Sequence, residues 1–85
     1  MEKMYNITLK QAGDYIKNHT PFRASNLMAV KTYYCGYMAY YIYSYATCIY
    51  CETVMDEVVI NRLDEYFSRT TSRHQGIIKK ALNIK

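Results

Sequence analysis

Between Thr32 and Cys51 the chain carries no charged side chain, no leucine and no valine. A run of about 20 uncharged residues has the length of a membrane span. Its composition argues the other way, because spanning helices are rich in Leu, Ile and Val while tyrosine collects at membrane interfaces. No basic region precedes an apolar run near the start, so a signal peptide is not expected. A glycine-rich phosphate loop is missing, and no nucleophile stands in a motif with a base. Asp56 with Glu57, and Asp64 with Glu65, are sequence neighbours rather than facing carboxylates. These absences point to a non-enzymatic protein of the cytoplasm, with no catalytic residue, no cofactor and no membrane partner.

Cysteine is scarce as well. Cys35, Cys48 and Cys51 make an odd count, and without a secretory signal reduced thiols are the default. Cys48 and Cys51 have the spacing of a metal knuckle, but no second Cys/His pair follows at zinc-finger spacing. On a strand an interval of three turns the two sulfurs to opposite faces. The cysteines therefore read as small apolar residues, and no metal is expected.

What fills the uncharged stretch is tyrosine, eight of the eleven in the chain. With a period of two, one face presents Tyr33, Cys35, Tyr37, Ala39, Tyr41, Tyr43 and Tyr45, and the other Tyr34, Gly36, Met38, Tyr40, Ile42, Ser44 and Ala46. Tyrosine favours strands, and both faces are apolar enough to be covered. The run exceeds an ordinary strand and should fold back on itself. Leu27–Tyr34, Tyr37–Ser44, Thr47–Thr53 and Glu57–Asn61 read as strands, with turns at Cys35-Gly36, Tyr45-Ala46 and Met55-Asp56. Phe22–Asn26 reads as a connector with one apolar anchor.

Helices flank this sheet. Thr8-Leu9-Lys10-Gln11 fits a capping box, and Leu9, Ala12, Tyr15 and Ile16 then share one side. The residue before Pro21 avoids the helical region, so the first helix covers about 8–18, with His19 in a solvated loop. Ile77, Ile78, Ala81 and Leu82 recur at helical spacing, and Lys79, Lys80 and Lys85 lie near the outer face. Ser72-Arg73-His74-Gln75 is a second capping-box pattern, placing this helix at about 71–83. Arg62–Ser68 reads as a surface loop anchored by Tyr66 and Phe67. The expected architecture is α+β: one domain of residues 1–85, with a central antiparallel sheet of three or four strands over about 27–61 and a helix at each end. Its core is small, since a chain of this length buries only about two-thirds of its unfolded surface, and a homodimer covering a sheet face would add to it.

The formal charge is +4, unevenly spread: +3 over residues 1–32, −3 over 33–60 and +4 over 61–85. Positive charge at both ends suits an acidic protein surface or a polyanion. The candidate site lies in Ser68–Gln75. Helix starts favour acidic side chains, yet this one collects Arg69, Arg73 and His74 among the hydroxyls of Thr70, Thr71 and Ser72, with Gln75 following. Two readings stay open: an anion or partner site, or a cap in which His74 hydrogen-bonds to a sheet tyrosine. Tyrosines beside basic groups also suit single-stranded nucleic acid, although the tyrosine stretch has no Lys or Arg to follow phosphates.

Tyr43-Ser44-Tyr45-Ala46-Thr47, Asn61 and Tyr66–Gln75 together resemble a family of small proteins encoded by phages, prophages and plasmids. Its pattern is Y-S-Y-x-T, a short strand pair ending in Asn, then Y-S-x-T-T-S-R-H-Q opening a basic helix. Phe22–Asn26 resembles its upstream Phe box, so the likeness spans about residues 22–82. Ala46 stands where Gly or Asn is usual, and Phe67 is an insertion. The resemblance implies a mobile-element protein inside a bacterial host cell. The family has no settled biochemical activity, but small phage proteins of this kind often bind and block a host component, including CRISPR effectors and other defence machinery. The leading expectation is thus an inhibitor of a host defence protein, contacting it through Tyr43, Tyr45 and residues 69–75. Nucleic acid, or an anionic nucleotide held as by a sponge, are the alternatives.

Overall fold

The computed structural model describes residues 4–53, 55 and 57–84. Asp56 of the expected third turn and Lys85 of the expected helix face lie outside them. The elements are β1 (Tyr5–Asn6), α1 (Leu9–Lys17), β2 (Phe22–Ala24), β3 (Leu27–Tyr34), β4 (Tyr37–Ser44), β5 (Thr47–Thr53), β6 (Val58–Asn61) and α2 (Arg69–Leu82). The α+β class holds, but the sheet has six strands in sequential order rather than three or four. β1 and β2 pair in parallel and the other neighbours are antiparallel, so the sheet is mixed. The two extra strands are short, and short strands leave little periodic signal. Phe22–Ala24 is a strand rather than a connector: it alternates buried, exposed, buried and pairs with β3 through a two-residue turn at Ser25-Asn26.

Both helices cover one face. Leu27, Ala29, Tyr40, Ile42 and Tyr50 of the sheet form the core with Phe22 and Ala24 of β2, Ala12 and Ile16 of α1, and Ile78 of α2. Tyr40, on this face, sends its hydroxyl 2.8 Å to the Thr20 carbonyl and so ties the loop after α1 to the sheet. Among the described residues no element covers the opposite face. There Tyr41 and Tyr43 stack at 6.4 Å, half-buried beside Met28 and Val30. The hairpin between β3 and β4 reverses the period-two count, so Tyr33 lies opposite Met38 on the helix-covered side.

A β-bulge overturns the reading of the cysteines. Cys48 pairs with Tyr43 and Cys51 with Tyr41, leaving Ile49 as the extra residue. Tyr41 and Tyr43 are two apart and share a face, so both cysteines lie on it too. One inserted residue shifts the alternation, and Ile49 enters the core while the sulfurs stay outside it. Other local readings also change. His19 is half-buried, with Nε2 3.4 Å from Glu52 and its ring edge-on to Tyr40. Phe67 packs on the core, whereas Tyr66 is 77% exposed and anchors nothing.

Topology sets the helix directions. The parallel β1–α1–β2 crossover and the strand order send α1 and α2 the same way across the sheet. The side-chain neighbours agree: Leu9 lies by Arg73, and a Cβ on Gly13 would sit 4.0 Å from that of Ala81. Both helix starts therefore meet the Ser25-Asn26 and Tyr45-Ala46 turns at one end of the molecule. Ala46 does not prevent the second turn, because Tyr45 takes the positive φ of 57°.

Candidate anion-binding cleft

Four segments close a cleft of about 340 Å³ at that end, lined by Leu9, Ser25, Asn26, Tyr45, Arg69, Thr70, Arg73 and His74. The first turn of α2 supplies its charge. Ser68, with an extended backbone, is the N-cap, and its Oγ accepts from the Thr71 N–H at 3.1 Å. The helix thus begins at Arg69, two residues before the expected start, and the Ser72–Gln75 capping box does not form. Arg69 and Thr70 occupy the first turn, where backbone N–H groups lack helical partners. Neither α1 nor α2 has an acidic residue in its first turn. Two positive dipole ends therefore converge without local compensation.

His74 connects the cleft to the sheet. Its buried ring places Nδ1 2.7 Å from Ser44 Oγ, which lies 2.8 Å from Thr71 Oγ1. The histidine partner is thus a sheet serine, not a tyrosine; Tyr45 only flanks the ring at 6.4 Å. Burial first, and the Arg73 charge second, hold the imidazole below the usual histidine range. Ser44 with His74 has the outline of a nucleophile and base. Ser44 is however 1% exposed and already bonded to Thr71, so an attacking hydroxyl has no route to a substrate.

The sequence-derived site residues separate into groups. Tyr45, Arg69, Thr70, Arg73 and His74 come together in the cleft. Thr71 and Gln75 are buried, and Gln75 serves the fold, its Nε2 donating to the carbonyls of Arg62 at 2.9 Å and Glu65 at 2.7 Å. Ser72 is exposed outside the lining, and Tyr43 is on the uncovered sheet face. Leu9, Ser25 and Asn26 were missed. The compact Ser25-Asn26 between two apolar-alternating segments was a turn signal, but only the fold brings that turn beside α2.

Leu9 also lines a second groove, of about 390 Å³, between the helices, with Gly13, Ile77 and Ala81 at its base and Lys10, Lys17, Lys80 and Asp14 around it. Among the described residues the side chains of Lys10, Lys17, Arg69, Arg73 and Lys80 form no hydrogen bond or ion pair, whereas that of Lys79 is bonded to Asp64 and that of Arg62 to Glu65. No group of three or more potential metal-ligating side chains lies together among the described residues. No described helix is long and apolar enough to cross a membrane. No family model, no curated protein and no solved structure matches the chain.

Proposed function

We propose that this chain is a non-enzymatic protein of a phage or other mobile element that binds and inhibits a host defence component, in the manner of an anti-CRISPR protein. One observation carries the binding half of this reading: five exposed, unpaired cations lie along the helical layer. Arg69 and Arg73 line the cleft and Lys10, Lys17 and Lys80 the groove, the two joined at Leu9. Exposed cations of one sign steer and hold an acidic partner surface. The resemblance through Thr70–Gln75 supplies the mobile-element setting. Ser44, buried and bonded, favours a binding role over a catalytic one.

The same cations suit nucleic acid, the second reading. Proteins that hold single strands join stacking aromatics and cations in one groove. Here the stacked Tyr41 and Tyr43 lie across the sheet from the helices, which favours a protein partner. The test is capture from nuclease-treated bacterial lysate with the wild-type chain, Arg73→Ala and Lys80→Glu. A host protein held by the wild type and lost by both variants, with circular dichroism unchanged, is the expected result. Retention by both variants would remove the helical layer from the contact. Recovered nucleic acid, with affinity falling steeply as salt rises, would put the second reading first.

A further inference from the structure

The tautomer of His74 points to what the cleft takes. Ser68 Oγ accepts from the Thr71 N–H and donates to Thr71 Oγ1 at 3.2 Å. The Thr71 hydroxyl proton is then free for Ser44 Oγ at 2.8 Å, and the Ser44 proton for His74 Nδ1 at 2.7 Å. With the protons placed this way the donors run one way and end on Nδ1 as acceptor, and the neutral imidazole carries its proton on Nε2. With the Ser44 proton on Thr71 instead, Nδ1 donates and Nε2 is an acceptor. Nε2 is buried and is the one such side-chain nitrogen or oxygen among the described residues with no partner. A buried donor left unpaired is costly and rare in folded proteins. The ring lines the cleft, and with Nδ1 committed to Ser44, Nε2 is its remaining polar atom.

We infer that the cleft is a binding site for a phosphate monoester, gripped by His74 Nε2–H, the Arg69 and Arg73 guanidinium groups and the Thr70 hydroxyl. These donors all come from the first two turns of α2, and no acidic side chain lines the cleft. A tetrahedral dianion with three free oxygens uses such a set more fully than a planar carboxylate does. The open first-turn N–H groups add donors of the same sign. At about 340 Å³ the cleft exceeds a phosphate, and Leu9 and Tyr45 offer apolar wall to the group esterified to it. The site rests on the reading of the α2 start as a contact surface, and it narrows the anionic partner to a phosphoryl group.

Because the isolated chain suffices, the experiment separates this inference from the host-partner reading. Uniformly 15N-labelled protein is titrated with inorganic phosphate, O-phosphoserine and a nucleoside 5′-monophosphate at constant ionic strength, following the His74 ring nitrogens and the arginine Nε–H signals. Saturable shifts at His74 and Arg73 are expected, with Kd raised roughly tenfold or more in Arg73→Ala and unchanged in Arg23→Ala, whose side chain is exposed on β2 and lines neither the cleft nor the groove. His74→Asn keeps an acceptor for Ser44, lacks the Nε2 donor and should bind comparably weakly. If His74→Asn does not fold, the exposed Arg73→Ala still decides. Tighter binding of the nucleotide than of phosphate would identify a nucleotide ligand. Equal affinity for all three would show that only the phosphoryl group is read. Shifts that never saturate, or that survive Arg73→Ala, would overturn the site, and capture of a host protein would then stand without it.

Discussion

Ser44 Oγ lies 2.7 Å from Nδ1 of His74, both side chains buried between the sheet and α2. This hydroxyl fixes the imidazole and holds the first turn of α2 through Thr71. Ser44→Ala leaves Nδ1 and the Thr71 hydroxyl short of a partner inside the protein. The expected cost is about 1–3 kcal/mol, read as a Tm lowered by roughly 4–8 °C per kcal/mol for a domain of this size. An unchanged Tm would mean that the chain of hydroxyls holds nothing in place.

His74 also ties stability to pH. Its folded pKa is lowered by burial and then by Arg73, against an unfolded value near 6.5. As pH falls, the unfolded chain takes up this proton first. The contribution of His74 is therefore whole above about pH 6.5 and is lost progressively as pH falls toward the folded pKa. Imidazole resonances followed from pH 8 to 5 should place the His74 midpoint below 6.5. Thermal melts over the same range should show Tm declining on the acid side. A His74 midpoint above 6.5 would contradict the burial of a neutral ring.

The helices and the long strands were legible because their signals are local. Leu9, Ala12 and Ile16, with Ile77, Ile78 and Ala81, repeat at 3.6, and the tyrosine stretch alternates at two. Cys35-Gly36 announces its turn, where both residues take positive φ. What escaped depends on long-range pairing. Tyr5–Asn6 is a strand only because Phe22–Arg23 runs beside it, and the bulge at Ile49 is invisible until β5 is set against β4. Within the site, the charge of Arg69 and Arg73 stood out at once. The burial of Gln75 and Thr71 did not, since a polar residue on a helix shows its inward direction only once the neighbouring elements are placed.

That bulge bears on thiol chemistry. Cys51 is buried beneath Tyr41, and burial pushes the thiols of both Cys48 and Cys51 up from their ordinary value. Cys35, in the β3–β4 turn, is exposed. Alkylation follows thiolate character and access, so iodoacetamide at pH 8 should modify Cys35 first. Peptide mapping by mass spectrometry should find Cys51 slower by about tenfold or more. Equal rates at the three positions would mean that the sheet opens on the labelling timescale.

Two glycines should answer the same substitution with opposite signs. Gly76 lies inside α2, exposed, and a Cβ there would meet no atom within 4 Å. Its only effect on the helix is the backbone freedom it must surrender on folding. Gly76→Ala should therefore stabilise by about 1 kcal/mol. Gly36 sits at the second position of the β3–β4 turn with φ +86°. A Cβ has open space there as well, so crowding is not the obstacle. The left-handed backbone is the obstacle, at about 1–2 kcal/mol for a residue with a side chain. Gly36→Ala should lower the urea midpoint as Gly76→Ala raises it, with neither changing the slope of the transition. If Gly36→Ala proved neutral, the turn would have re-formed around another conformation, and the register from Tyr33↔Met38 onward would need to be determined afresh.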